Sequence, residues 1–312
     1  MLRYLKAAVK TRLPLISRLV AERDQARSEL AAFKGGGFVP SGHFYSPIPS
    51  LDEIRRDEAR IFGSWPSRIH GVDLHEQDQL ALLHTLLPYY RELPFHSEKR
   101  EGLRYYFDNP TYSYSDAILL YCMIRYLKPK RIIEVGSGFS SCVTLDTNEL
   151  FFDGSISTTF VEPYPKLLMS LLKETDKSRI RIIPSRLQDV DSREFEALDA
   201  NDILFIDSTH VSKINSDVNV LLFEILPRLR ENVYVHFHDI AYPFEYPKVW
   251  IYEGRAWNEA YLLRAFLSFN NAFRVVLMNT FMEHFHEWFF QQNMPLCLKN
   301  PGGSIWIRKQ PN

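Results

Sequence analysis

Residues 131–141, RIIEVGSGFSS, decide how this chain is read. RIIEV is a short β-branched apolar run of the kind buried in the middle of a sheet. It runs straight into Gly136-Ser137-Gly138, and Phe139 onward has helical character. Strand, glycine turn and helix in direct succession bring a helix N-terminus and unobstructed backbone to one point, where an anionic or nucleotide-like ligand is held. The same sequence also suits a tight turn with no ligand, because the third glycine of G-x-G-x-x-G is missing and position 141 is Ser.

Outward from this stretch the alternation continues. STTFVE (157–162), RIRIIP (179–184), DILFID (202–207) and VYVHFHD (233–239) read as strands, with helical candidates at 141–150, 165–173, 192–198 and 217–229 between them. A helix at 257–269, a strand FRVVLMN (273–279) and a strand SIWIRK (304–309) follow. Alternation of this kind predicts an α/β fold, a mostly parallel seven-stranded sheet with helices on both faces. Upstream, Asp116–Leu127 is too apolar for a surface helix and is expected to pack on the sheet. Residues 1–34 read as an amphipathic or coiled-coil helical extension stopped by Gly35-Gly36-Gly37, and residues 35–109 as a linker and helical cap before a catalytic domain at 110–312. His43 and Tyr45, in the Pro- and aromatic-rich segment 38–50, are read as surface packing rather than as part of a site.

The composition narrows the function classes. With 312 residues, 46% of them hydrophobic, the chain can bury a sizeable core. Its 37 basic and 38 acidic residues leave a formal net charge of −1, without the basic footprint of a nucleic-acid binder. Cys122, Cys142 and Cys297 have no disulfide or zinc spacing, so a reducing, cytoplasmic setting is expected. Five cations and no acid in the first 20 residues allow peripheral contact with an anionic membrane. Packing on a neighbouring copy, giving a homo-oligomer, accounts for the same helix. No run of about 18 apolar residues is present to span a bilayer.

Two further clusters carry chemistry. Glu162 ends the second strand, 26 residues after Gly136, where an acid accepts ribose hydroxyls. Asp207 and Asp239 end the strands of FIDSTH (205–210) and VHFHD (235–239) and lie close together if those two strands are neighbours; two such carboxylates with His238 suit a divalent cation, Mg²⁺ or, through the imidazole, Mn²⁺. Each has a plainer reading: Asp239 as a turn cap, His210 as a capping or core histidine, Lys213 as a solvated lysine. The long segments 241–263 and 280–303, rich in aromatics, read as core packing or as a lid or substrate wall.

On these residues the chain resembles the class I S-adenosylmethionine-dependent methyltransferases over about residues 110–310. Glu134-Val-Gly-Ser-Gly-Phe-Ser140 stands as the first motif, Glu162 as the ribose acid and residues 202–207 as the fourth strand. The resemblance implies a Rossmann-like sheet whose last strand is inserted antiparallel. It further implies that Glu134, Gly136, Ser137, Gly138, Ser140 and Glu162 hold S-adenosylmethionine, with Gln188 or Asp189 at the adenine. Ser140 stands where the family usually has its third glycine. Within that class the chain is similar to the metal-dependent O-methyltransferases of catechols and macrolide sugars. Asp207-Ser-Thr-His210 matches the Asp-x-x-His segment of the macrolide-sugar group, which implies Asp207, His238 and Asp239 as metal ligands and His210 as general base. The implied activity is methylation of a hydroxyl on a sugar, glycan or secondary metabolite. HDI, WNEAYLL and GHFYSP together resemble a bacterial branch of the class. Two alternatives are a nicotinamide-dependent oxidoreductase using the same glycine turn, and a scaffold protein with a degenerate pocket.

Overall fold

The computed structural model describes residues 18–27 and 38–311. The helix expected over residues 1–34 and its glycine stop lie largely outside the described residues, and so does most of the basic segment. The chain divides into two units, Met1–Ser64 and Trp65–Asn312.

In the first unit, residues 18–27 form helix α1, exposed throughout. Residues 38–50 are non-helical, and His43, Phe44 and Tyr45 stack on one another, with Phe44 and Tyr45 ring centroids 4.0 Å apart. Helix α2 (Leu51–Phe62) starts where the Ser50 side chain accepts a hydrogen bond from Glu53 N.

The second unit opens with α3 (Glu76–Arg91) and α4 (Tyr114–Leu127), then alternates as β1 (Arg131–Val135), α5 (Phe139–Phe152), β2 (Ser157–Val161), α6 (Lys166–Leu171), β3 (Arg181–Ile183), α7 (Arg193–Glu196) and β4 (Ile203–Ile206). A segment of α8 (Asp217–Val220), a π-helical turn Leu221–Ile225 and α9 (Leu226–Arg228) leads to β5 (Tyr234–His238). Helices α10 (Lys248–Tyr252) and α11 (Glu259–Leu267), β6 (Phe273–Met278), α12 (Asn279–Phe285), α13 (Glu287–Asn293) and β7 (Ser304–Lys309) complete it. The seven strands lie in the order β3-β2-β1-β4-β5-β7-β6. Strands β3 to β5 pair in parallel, while β7 runs antiparallel between β5 and β6. That insertion separates the sheet from the 3-2-1-4-5-6 order of nicotinamide-binding dehydrogenases.

The burial follows the residue types. β1, β4 and β5 are buried except for Arg131, as expected of parallel strands covered on both sides. Helix α4 buries all but Arg125 and Tyr126 of its length, which explains its missing polar stripe. β3 shrinks to three residues because only Arg181–Ile183 find partners on β2. A buried Arg104 fastens the loop before α4 to the sheet's first two crossovers. Its guanidinium bonds Asp146 Oδ1 at 2.6 Å and Asp176 Oδ2 at 2.8 Å, and reaches Glu149. Phe281, Phe289 and Phe290 are core residues, while Trp288 is exposed. No helix among the described residues is long and apolar enough to cross a membrane.

Candidate cofactor and metal site

The candidate residues gather at the carboxyl ends of the parallel strands β1 to β5, the edge at which open α/β sheets bind ligands. Gly136 N donates to Val161 O and Asp207 N donates to Val135 O, so the glycine turn, the end of β2 and the end of β4 are laced into one surface. Gly136 has φ +77°, and a Cβ there would lie 2.0 Å from the Asp207 carbonyl oxygen. Only glycine fits. At Gly138 the backbone is extended, and an added Cβ would meet only Leu167 Cδ2, at 3.6 Å; its value is open space rather than turn geometry.

Glu134 is fully buried at the penultimate residue of β1. Its Oε1 accepts from Ser140 Oγ at 2.6 Å and Ser141 Oγ at 2.8 Å, whereas Oε2 has no partner. Burial pushes its carboxyl up to about 8, against the two serine hydrogen bonds. Ser137 Oγ is likewise buried without a partner. Glu162 is held by the glycine turn itself, accepting from Ser137 N at 3.1 Å and Tyr164 N at 2.7 Å. An unpartnered buried carboxyl oxygen, an unpartnered hydroxyl, an open glycine and an acid ending β2 fit an adenosyl-amino-acid cofactor. Gln188 and Asp189 lie in the turn after β3. Gln188 donates to Asn215 O, tying that turn to the loop after β4, and the exposed Asp189 is paired with Arg186 at 2.9 Å.

The second cluster is built from three loops. His210 Nε2 lies 3.3 Å from Asp207 Oδ1 and 3.5 Å from Asp239 Oδ2. One ligand atom from each residue falls within 4.8 Å of the others. Adjacent ligands of an octahedral ion with bonds of about 2.1 Å stand roughly 3 Å apart, so this donor set is the right size for one cation. His210 and Asp239 both have φ +59°, backbone strain that the surrounding contacts must hold. His210 is gripped by the Trp257-Asn258-Glu259 triplet. Its carbonyl accepts from Asn258 N and Glu259 N, and its Nδ1 is 2.8 Å from Glu259 Oε2. The other oxygen of Glu259 accepts from Ser208 Oγ at 2.9 Å.

The electrostatics follow from burial opposed by pairing. Burial alone would lower the His210 pKa, but hydrogen bonds to Asp207 and Glu259 raise it to about 10. Burial favours the neutral form of Asp207, yet the His210 hydrogen bond and the charges of His238 and His210 leave it below its ordinary value. For Asp239 burial wins over the two histidines and the pKa is raised.

His238, expected beside the two aspartates as a ligand, is outside the Asp207–His210–Asp239 group. Its ring packs edge-on against Tyr112, with Nε2 3.5 Å from Asp239 Oδ1 and Nδ1 3.9 Å from Asp116 Oδ2. His210, expected as a base, occupies the position between the aspartates. Lys213 is exposed, its backbone N donating to Ser216 Oγ. Glu259 was not foreseen: an acid in the first turn of a helix ordinarily reads as a dipole partner.

The methyltransferase-domain family model matches residues 133–240. A protein of Archaeoglobus fulgidus described as uncharacterized is 36% identical over 183 residues, covering 56% of this chain and 80% of its own length. Among solved structures, the O-methyltransferase TomG from Streptomyces achromogenes, in complex with S-adenosylmethionine, aligns with TM-score 0.45 and 14% identity over 73% of this chain and 96% of its own. The S-adenosylhomocysteine-bound methyltransferase PaMTH1 of Podospora anserina aligns with TM-score 0.41 and 14% identity over 84% and 97%. The family match begins inside β1 and ends just beyond Asp239, enclosing the glycine turn and both aspartates, and with this strand order it makes residues 133–240 a methyltransferase domain of the Rossmann-like, class I type.

Proposed function

We propose that the chain is a cation-assisted O-methyltransferase acting on a hydroxyl of a sugar, glycan or secondary metabolite. The observation that carries this is the pair of aspartates from adjoining strands, Asp207 and Asp239, gathered around His210 Nε2 while the Asp207 carbonyl abuts Gly136. One surface thus joins a cofactor turn to an oxygen-rich donor set suited to a hard divalent ion. The free, buried state of all three cysteines agrees with a cytoplasmic setting.

S-adenosylmethionine supplies an electrophilic methyl on a sulfonium, and a divalent cation, Mg²⁺ or Mn²⁺, lowers the pKa of an acceptor hydroxyl. The chain's own residues do the rest. Glu162, fixed by Ser137 N and Tyr164 N, keeps lone pairs for the ribose hydroxyls. The unpartnered Oε2 of Glu134 and the unpartnered Ser137 hydroxyl would be left to bind the cofactor's polar groups, and the open space at Gly138 would leave room for it. Asp207, Asp239 and His210 would hold the ion. With Nδ1 bound to Glu259, Nε2 is the His210 nitrogen that faces the aspartates, and the nitrogen donor favours Mn²⁺ over Mg²⁺. Glu259 and Asn258 keep that ring and its left-handed backbone in place.

Calorimetric titration with S-adenosylmethionine, with and without Mn²⁺, tests the reading. Uptake of both is expected, and no uptake of S-adenosylmethionine at millimolar concentration overturns it.

A further inference from the structure

An aromatic wall stands directly beside the aspartate and histidine cluster. The Trp257 ring centroid is 4.3 Å from that of His210, and Trp250 meets Trp257 edge-on at 5.4 Å. Both indoles are half-buried. The Arg255 guanidinium lies over each of them, 4.7 Å from the Trp250 centroid and 5.0 Å from the Trp257 centroid. Its Nε and Nη2 are paired with Glu253, leaving Nη1 outside that pair. Tyr246 marks the packing side of the wall, being buried with its hydroxyl oxygen accepting from Ala260 N.

This arrangement differs from core packing in two respects. The indoles keep part of their surface in solvent one ring away from the cluster, and a cation is stacked on them where every ionisable group of the cluster besides the histidines is acidic. The ion pair Arg255–Glu253 is itself open to solvent, with side chains 38% and 49% exposed, so a ligand acid that takes over part of it loses little. We propose that Trp257, Trp250 and Arg255 form the acceptor subsite, which takes a ring-bearing hydroxyl compound that also carries a carboxylate. The apolar face of the ring stacks on indole. Its carboxylate pairs with the planar fork of Arg255, and this directs the opposite hydroxyl at the aspartates. The inference rests on the methyl-transfer reading and adds the charge and shape of the acceptor.

Matched pairs of probes test it: 3,4-dihydroxybenzoate against catechol, and glucuronate against glucose. Binding to the full chain loaded with S-adenosylhomocysteine and Mn²⁺ is measured by tryptophan fluorescence and calorimetry. In at least one pair the acid binds roughly tenfold more tightly than its neutral twin, as a charge-assisted pair predicts, and the pair that shows this identifies the ring as arene or sugar. Arg255→Gln removes the preference while the neutral twin binds as before, and Trp257→Leu weakens both members. Equal binding of acid and neutral twins, no binding of any probe, or a preference that survives Arg255→Gln overturns the subsite. S-adenosylmethionine uptake, measured separately, judges the methyl-transfer reading: a chain that takes up S-adenosylmethionine and Mn²⁺ yet shows no acid preference loses only the subsite.

Discussion

Glu259 Oε2 lies 2.8 Å from His210 Nδ1, across 49 residues of chain, with both groups buried. A carboxylate accepts and does not donate, so this contact places a proton on Nδ1 and leaves Nε2 as the nitrogen that faces Asp207 and Asp239. Metal-ligating histidines carry such a carboxylate as a rule, and it raises the basicity of the ligating nitrogen. With no ion bound, the Asp207 and Glu259 carboxylates favour the imidazolium, and against burial they raise the His210 pKa to about 10. Cation binding must therefore release a proton.

Glu259→Gln keeps the volume and reverses the sense of the hydrogen bond, since the amide can donate to Nδ1 and shift the ring proton to Nε2. Mn²⁺ affinity, measured by calorimetry, should fall about 10- to 100-fold, with S-adenosylmethionine affinity nearly unchanged. An unchanged Mn²⁺ affinity would remove Glu259 from the site.

His210→Ala separates a ligand from a base. Loss of a ligand weakens Mn²⁺ binding together with turnover. Loss of a base alone leaves Mn²⁺ affinity intact and lowers the rate by about 10²- to 10⁴-fold. The position of Nε2 between the aspartates predicts the first outcome, and Mn²⁺ binding monitored by electron paramagnetic resonance decides it.

How much of this was legible in the chain depended on the range of the contacts. All seven strands could be read because β-branched runs such as Ile132–Val135 and Ile203–Ile206 are local and buried on both sides. The inserted antiparallel β7 came from resemblance, as no local pattern distinguishes it from a parallel neighbour. The helix expected over 217–229 contains a π-helical turn at Leu221–Ile225, which needs one extra residue per turn and leaves no mark in an apolar run. At the site, Gly136 and Glu162 were readable from a strand-turn-helix pattern, whereas the placing of His210 Nε2 between the aspartates depends on the left-handed backbone at His210 and on Glu259. Both are tertiary facts.

Gly136→Ala should disable cofactor and cation sites together. The new Cβ would need to escape the Asp207 carbonyl oxygen at 2.0 Å while adopting φ +77°, so either the turn or the end of β4 moves. A loss on the order of 3 kcal/mol in urea denaturation is expected, with weakened S-adenosylmethionine uptake. Gly138→Ala, whose Cβ meets only Leu167, should fold normally and affect the cofactor alone.

The last prediction concerns a buried acid away from the cluster. Glu283 on α12 bonds the Ser115 hydroxyl and accepts from Gly302 N at 3.1 Å, close to Asp116. Burial, reinforced by Asp116, lifts its carboxyl from about 4.5 to about 8 despite the two hydrogen bonds. Between those values the folded chain binds more protons at this position than the unfolded chain, so stability must fall as pH rises through the window. The contribution is complete below the unfolded value and lost above about 8. Glu283→Gln keeps a carbonyl acceptor for Gly302 N and an amide donor for Ser115 but cannot ionise. Urea denaturation at pH 5 and pH 8 should show the wild type losing more stability between the two than Glu283→Gln does, by a few kcal/mol at most. Glu134, raised to about 8 by the same burial, supplies a second share of the slope in both proteins. Equal losses in the two chains would place the Glu283 proton elsewhere.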